Sequence, residues 1–156
     1  MLGGLALNKE IYSMMHKSIL NEYKARYISR NHDETFFKKS TFIREELLKR
    51  DFTKRQLNIL WFIYRYSFFY GKEEAIITHL SDFELCGVHR TKIKEELLKL
   101  EEMNVIGIDL TIKSYWIKEP TKWKTPYHKD YDSKRARELF LLNLRDSKSF
   151  NHACNG

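Results

Sequence analysis

The chain has 156 residues, 42% hydrophobic and 14% aromatic, which suits one compact domain with extensions and excludes a disordered chain. Its 28 basic and 21 acidic residues leave a formal charge of +7, which favours a polyanionic partner. Cys86 and Cys154 are too few for a disulfide framework, Met1-Leu-Gly-Gly-Leu-Ala-Leu lacks the basic flank of a signal sequence, and no apolar run approaches membrane-spanning length.

Asn8 to about Ile28 is expected to be a helix, with Ile11, Met15, Ile19, Tyr23 and Tyr27 as its stripe. That stripe has two places to be buried, on its own domain or on a second copy as a homodimer arm. Ser29 to Lys39 is expected to be a polar, turn-like linker, and Phe42, Ile43, Leu47 and Leu48 mark a short helix ending near Arg50. Thr53 and Gln56 then form a capping box at the start of a helix running to about Tyr70. Leu57, Leu60, Trp61, Tyr64 and Phe68 are its strongest stripe, and Ile59, Phe62, Ile63, Tyr66 and Phe69 make it apolar on nearly every side, as a central helix would be. Gly71 ends it, and Ala75-Ile-Ile-Thr is a candidate strand.

The next stretch is the most informative. A short helix is expected from Ser81, capped by Ser81 with Glu84, and Gly87 supplies the sharp turn. A second helix starts near His89, with Ile93, Leu97, Leu100 and Met103 as the buried stripe and Arg90, Thr91, Lys92 and Lys94 on its exposed first half, where side chains meet a major groove. Val105-Ile-Gly-Ile-Asp-Leu, the polar turn Thr111-Ile-Lys-Ser and the strand Tyr115-Trp-Ile-Lys follow as a hairpin. Helix, turn, helix, hairpin is the order of a winged helix-turn-helix. The fold expected is therefore mostly α with a small β-hairpin wing, divided into an N-terminal helix and linker (1–39), a winged-helix domain (40–123) and a basic connector with a C-terminal helix (124–156).

Lys113 at the wing tip and Lys118 at its far end are candidate phosphate contacts. From Thr111 to Arg137 eight basic residues stand against three acidic ones. Within that span Pro120 and Pro126 interrupt a connector holding Trp123 and Tyr127. Ser133 to about Arg145 is a last amphipathic helix with Leu139, Phe140, Leu142 and Leu144, and Asn151 to Gly156 is expected to fray.

Thr53-Lys-Arg-Gln-Leu before an aromatic helix, Leu85-Cys-Gly-Val-His-Arg, Leu97-Leu-Lys-Leu-Glu-Glu-Met and Thr121-Lys-Trp resemble the N-terminal origin-binding domain of phage replication protein O, over about Thr53 to Trp123. The chain departs from that pattern at Phe68-Phe-Tyr-Gly, where a Tyr-Gly-Trp-Asn type turn is usual, and at Tyr115-Trp-Ile-Lys. The resemblance implies recognition of repeated double-stranded sites at a phage origin, in the cytoplasm of a bacterial host, with replisome or helicase-loading proteins as further partners. No residue here matches the part of that family that engages the helicase. It also implies that His89, Arg90, Thr91, Lys92 and Lys94 form the recognition surface. Arg90 is the first choice for guanine O6 and N7, Lys94 the second, and Thr91 meets a thymine methyl or a phosphate.

Catalysis finds little support. The chain has no Gly-rich Lys-Ser/Thr phosphate loop and no His-Glu-x-x-His, and Cys86 with His89 makes no closed metal site, so neither an enzyme nor a cofactor is expected. Two other readings stay open, a transcriptional regulator on the same fold and a winged helix that binds protein rather than DNA.

Overall fold

Asp33 starts α1 (Glu34–Lys49), the first helix described without a break, because its carboxylate accepts from the backbone N–H of Thr35 and Phe36 at 3.1 and 3.3 Å. The computed structural model describes residues 16–22, 24–26, 29–30 and 33–145. Phe36, Ser40, Ile43 and Leu47 form the buried face of α1, and Glu34 and Lys49 complement the dipole at its two ends. The polar linker expected over Ser29 to Lys39 is thereby corrected. Residues 29–30 are helical and α1 already runs from Glu34, so the short helix expected near Phe42 is the second half of a longer one. Ser40 and Glu46, both buried, interrupt the apolar period and conceal it in the sequence.

Of the N-terminal helix expected over 8–28, residues 16–22 and 24–26 are helical, and Ile11, Met15, Tyr23 and Tyr27 lie outside the described residues. Downstream, Arg30 Nε donates to Gly71 O at 3.0 Å, and Arg26 and Arg30 both lie against Gly71. This end of the segment therefore packs on its own domain.

The helix α2 (Lys54–Tyr66) has the expected capping box, Gln56 N to Thr53 Oγ1 at 3.2 Å and Thr53 N to Gln56 Oε1 at 3.0 Å. It ends at Tyr66 rather than near Tyr70. Ser67 turns its hydroxyl back onto Ile63 O at 2.7 Å, and a 3-10 turn, Phe68–Tyr70, leads to Gly71. Ile59, Leu60 and Ile63 are the fully buried face, each worth about 1.5–3 kcal/mol of burial, whereas Trp61, expected in the stripe, is 43% exposed.

Three strands, β1 (Glu74–Ile76), β2 (Ile106–Asp109) and β3 (Ser114–Ile117), form an antiparallel sheet in the order β1-β3-β2. Ala75 pairs Tyr115 and Gly107 pairs Trp116, as expected of a strand joining the wing hairpin. Gly107 is required there: a Cβ at this position would collide with the indole of Trp116. Between β1 and β2 come a 3-10 helix, Leu80–Cys86, and the helix α3 (Arg90–Glu102). The first of these begins before Ser81, and the cap expected of Ser81 with Glu84 is replaced by Asp82, whose carboxylate accepts from His79 N at 3.1 Å. Gly87, at φ 85°, makes the turn, which a residue with a Cβ would strain. Phe83, Val88, Ile93, Leu97 and Leu100 close the core against α2 and the sheet.

Beyond β3 the connector is stitched to the rest of the fold. Trp123 Nε1 donates to Lys118 O at 2.8 Å, Lys124 N to Met103 O at 2.8 Å and Asp51 N to Pro126 O at 2.8 Å. Arg50 lies under the Tyr127 ring and donates to Thr125 O, Pro120 O and the buried Glu46. Asp132 accepts from Lys134 N and Arg135 N to start α4 (Ser133–Arg145), none of whose residues is buried. The expected frayed tail lies outside the described residues, among which no helix is long and apolar enough to cross a membrane. The architecture is a mostly α winged helix with a β wing.

Candidate nucleic-acid interface

α3 is held by its buried stripe, so its opposite face is fixed in direction. His89 is the N-cap: its Nδ1 accepts from Thr91 N at 3.3 Å and lies 2.9 Å from Thr91 Oγ1. Arg90 and Lys94 follow one turn apart, both exposed and with no hydrogen bond or ion pair among the described residues. Lys92 differs from them. Its ammonium sits 3.4 Å from Glu95 Oε2, while Lys99 Nζ approaches Glu95 Oε1 at 3.2 Å. The hydrogen bond from Lys99, with the charges of Lys92 and Lys99, holds the Glu95 carboxyl below its usual range. The expected group of five thus separates into a cap (His89 with Thr91), two open cations (Arg90 and Lys94) and one cation occupied with its own helix (Lys92).

Lys113 occupies the wing tip in the left-handed region at φ 56°, exposed and without an ion pair among the described residues. Its carbonyl accepts from Ile77 N at 3.0 Å, and three residues past Ile77 the chain enters the first helix of the helix-turn-helix at Leu80. The tip therefore stands at the helix-turn-helix end of the sheet. Lys118 stands at the other end of β3, on the order of 16 Å away at strand rise. Its ammonium donates to Asn104 Oδ1 at 2.8 Å and lines a cleft of about 650 Å³ with Lys39, Glu73 and Glu74. The structure thus brings Lys113 toward the helix-turn-helix but does not bring Lys118 with it.

Two features escaped the sequence pattern. Leu98, 55% exposed, shares a helix face with Thr91 and Lys94, although a Leu-Leu pair reads as core. Lys54 and Arg55 are exposed on the first turn of α2, on the face shared with Asn58, whose amide lies 3.8 Å from where a Gly87 Cβ would stand. The signal for these was the capping box at Thr53, but which way its first turn faces is set only by tertiary packing.

Half-buried beside this face, the Cys86 thiol donates to Phe83 O at 3.0 Å, and desolvation raises its pKa. Cys154 lies outside the described residues. Among the described residues no three His, Cys, Asp or Glu side chains cluster as metal ligands would.

The family model for Bacteriophage replication protein O matches residues 28–123, more than half of the chain, and takes in α1 as well as the winged helix. Neither the curated proteins nor the solved structures contain a match to the chain.

Proposed function

The chain belongs to the bacteriophage replication protein O family and has a role in phage replication; from that premise we propose that it binds double-stranded DNA sequence-specifically at repeated sites of a replication origin. The observation that carries this reading is the start of α3, where Arg90 and Lys94 stand open on a helix whose other face is locked into the core. In this reading Arg90 takes guanine O6 and N7, Lys94 a second base or phosphate, Thr91 and Leu98 a thymine methyl, and Lys113 a flanking phosphate. Lys92 acts indirectly, by covering the charge of Glu95 that would otherwise repel a phosphate. Lys118 contributes to the general field of the basic wing and connector rather than to the reading face.

The reading head is the unit expected over 40–123, with its lower bound moved to Asp33 so that it takes in all of α1, and the segments before it and over 124–156 are extensions. Two copies sit on paired repeats, coupled through the N-terminal segment, and replisome or helicase-loading proteins are the next partners. Binding, not catalysis, is the activity. Truncation before Arg30, which leaves the cap of α1 intact, tests the coupling: single sites stay bound and cooperativity on paired sites is lost. Unchanged cooperativity contradicts it.

Selection of bound fragments from the source genome tests the main reading. Clustered repeats are expected. A single palindrome over a promoter would instead favour a transcriptional regulator, and no enriched fragment would favour a winged helix that binds protein.

A further inference from the structure

The wing tip carries two aliphatic side chains that the fold does not use. The register Asp109 to Ser114 leaves residues 110–113 as the tip, where Leu110 is 61% and Ile112 56% exposed. Along the strands of the same hairpin Ile106, Tyr115 and Ile117 are buried, so the wing's part of the core lies in its strands and not in the tip. Leucine and isoleucine are also poor turn formers, and turns with no other duty favour Gly, Asn, Asp or Ser. The tip is nonetheless ordered by its own bonds. Asp109 Oδ1 accepts from Thr111 N at 3.0 Å, and Lys113, in the left-handed region, anchors the tip to Ile77 N through its carbonyl. Two exposed aliphatics thus stand on a braced loop beside an open ammonium, at the helix-turn-helix end of the sheet.

From this arrangement we infer that Leu110 and Ile112 form an apolar wedge that enters the DNA minor groove beside the major-groove site of α3, with Lys113 on the adjoining phosphate. The inference rests on the DNA-binding reading above and deepens it. A minor groove offers what the tip displays in reverse: sugar walls and base edges that accept aliphatic side chains, flanked by phosphates that accept the cation. A wedge of this size partly unstacks one base step, so it favours flexible pyrimidine–purine steps over stiff ones. Sequence preference would then extend to positions that α3 never touches. An apolar protein groove would fit the two aliphatics but gives no role to Lys113 or to the tip's place beside the helix-turn-helix.

The test uses the full chain and a duplex recovered from the genomic selection, with 2-aminopurine placed in turn at each step flanking the α3 footprint. Wild-type protein is expected to raise the fluorescence at one step, a sign of unstacking. Leu110→Ser with Ile112→Ser, two changes at exposed positions that leave the melting temperature unchanged, should abolish that rise and weaken binding on the order of tenfold. Lys113→Ala should weaken binding but keep the rise. Flat fluorescence with the wild type, or unchanged affinity of the double variant, overturns the wedge, and the second result would point to a protein partner for the tip. If the wild type binds no recovered duplex, the DNA reading itself fails, an outcome distinct from either of these.

Discussion

Glu95 is an acidic residue in the middle of a helix expected to face phosphates, and the two lysines beside it resolve that conflict. Lys99 holds its carboxyl low chiefly by a hydrogen bond, with Lys92 adding charge from the other side. Because the folded value is depressed, this interaction is present at neutral pH and is lost only as the pH falls through that lowered value. A carboxyl titration by NMR should find Glu95 below the ordinary range, and Lys99→Met should raise it more than Lys92→Met. An ordinary Glu95 value in the unaltered chain would contradict the pairing. The residue types of the reading face were legible in the sequence, since the buried stripe of Ile93, Leu97 and Leu100 dictates which side of α3 is open. The occupation of Lys92 was not, because Lys92, Glu95 and Lys99 read equally well as three separate solvated charges.

At the scale of elements, two devices hold the wing and the connector in place. Gly107 lets the Trp116 indole cross the hairpin, so Gly107→Ala should cost about 1–3 kcal/mol through overpacking. Trp116→Ala in the same chain should recover part of that loss; additive losses in denaturant unfolding would show that the indole is not the obstacle. The second device is the Arg50 clamp, in which Arg50 and Glu46 are almost fully buried and Tyr127 Oη donates to Glu46 Oε1 at 3.1 Å. Arg50→Leu should cost about 3–5 kcal/mol, because it leaves the Glu46 carboxylate buried without its cation. The double change Glu46→Leu with Arg50→Leu should cost less than Arg50→Leu alone, and a larger cost would contradict the clamp. The α2 capping box, the Gly87 turn and the wing strands were all legible, because each depends on contacts within a few residues. The clamp spans from Arg50 to Thr125 and Tyr127, beyond the reach of local pattern, and α1 hides part of its period behind Ser40 and Glu46, so pattern found only its second half.

On the scale of the whole molecule, charge decides how the protein meets its partner. A formal +7, with eight basic residues against three acidic between Thr111 and Arg137, should make binding strongly electrostatic. Affinity for a duplex is expected to fall by on the order of 10² or more between low and physiological salt, as phosphate neutralisation releases counterions. A flat response would remove the polyanion from the account. Net charge was readable from composition, whereas its distribution was not. Lys118 lies with Lys39 in a cleft away from the wing tip, so the basic residues after Thr111 do not all share one face.

Steep salt dependence alone would also fit a protein that coats DNA without reading it, so the central claim turns on Arg90. The direct measurement is the ratio of affinity for a selected fragment to affinity for random duplex, at one salt concentration, in the unaltered chain and in Arg90→Ala. Loss of a bidentate guanine contact should lower the specific affinity by about 1–3 kcal/mol, leave the random affinity nearly unchanged and relax preference at one base position. Equal losses on both duplexes, or none on either, would contradict the assignment of the α3 start as the reading face.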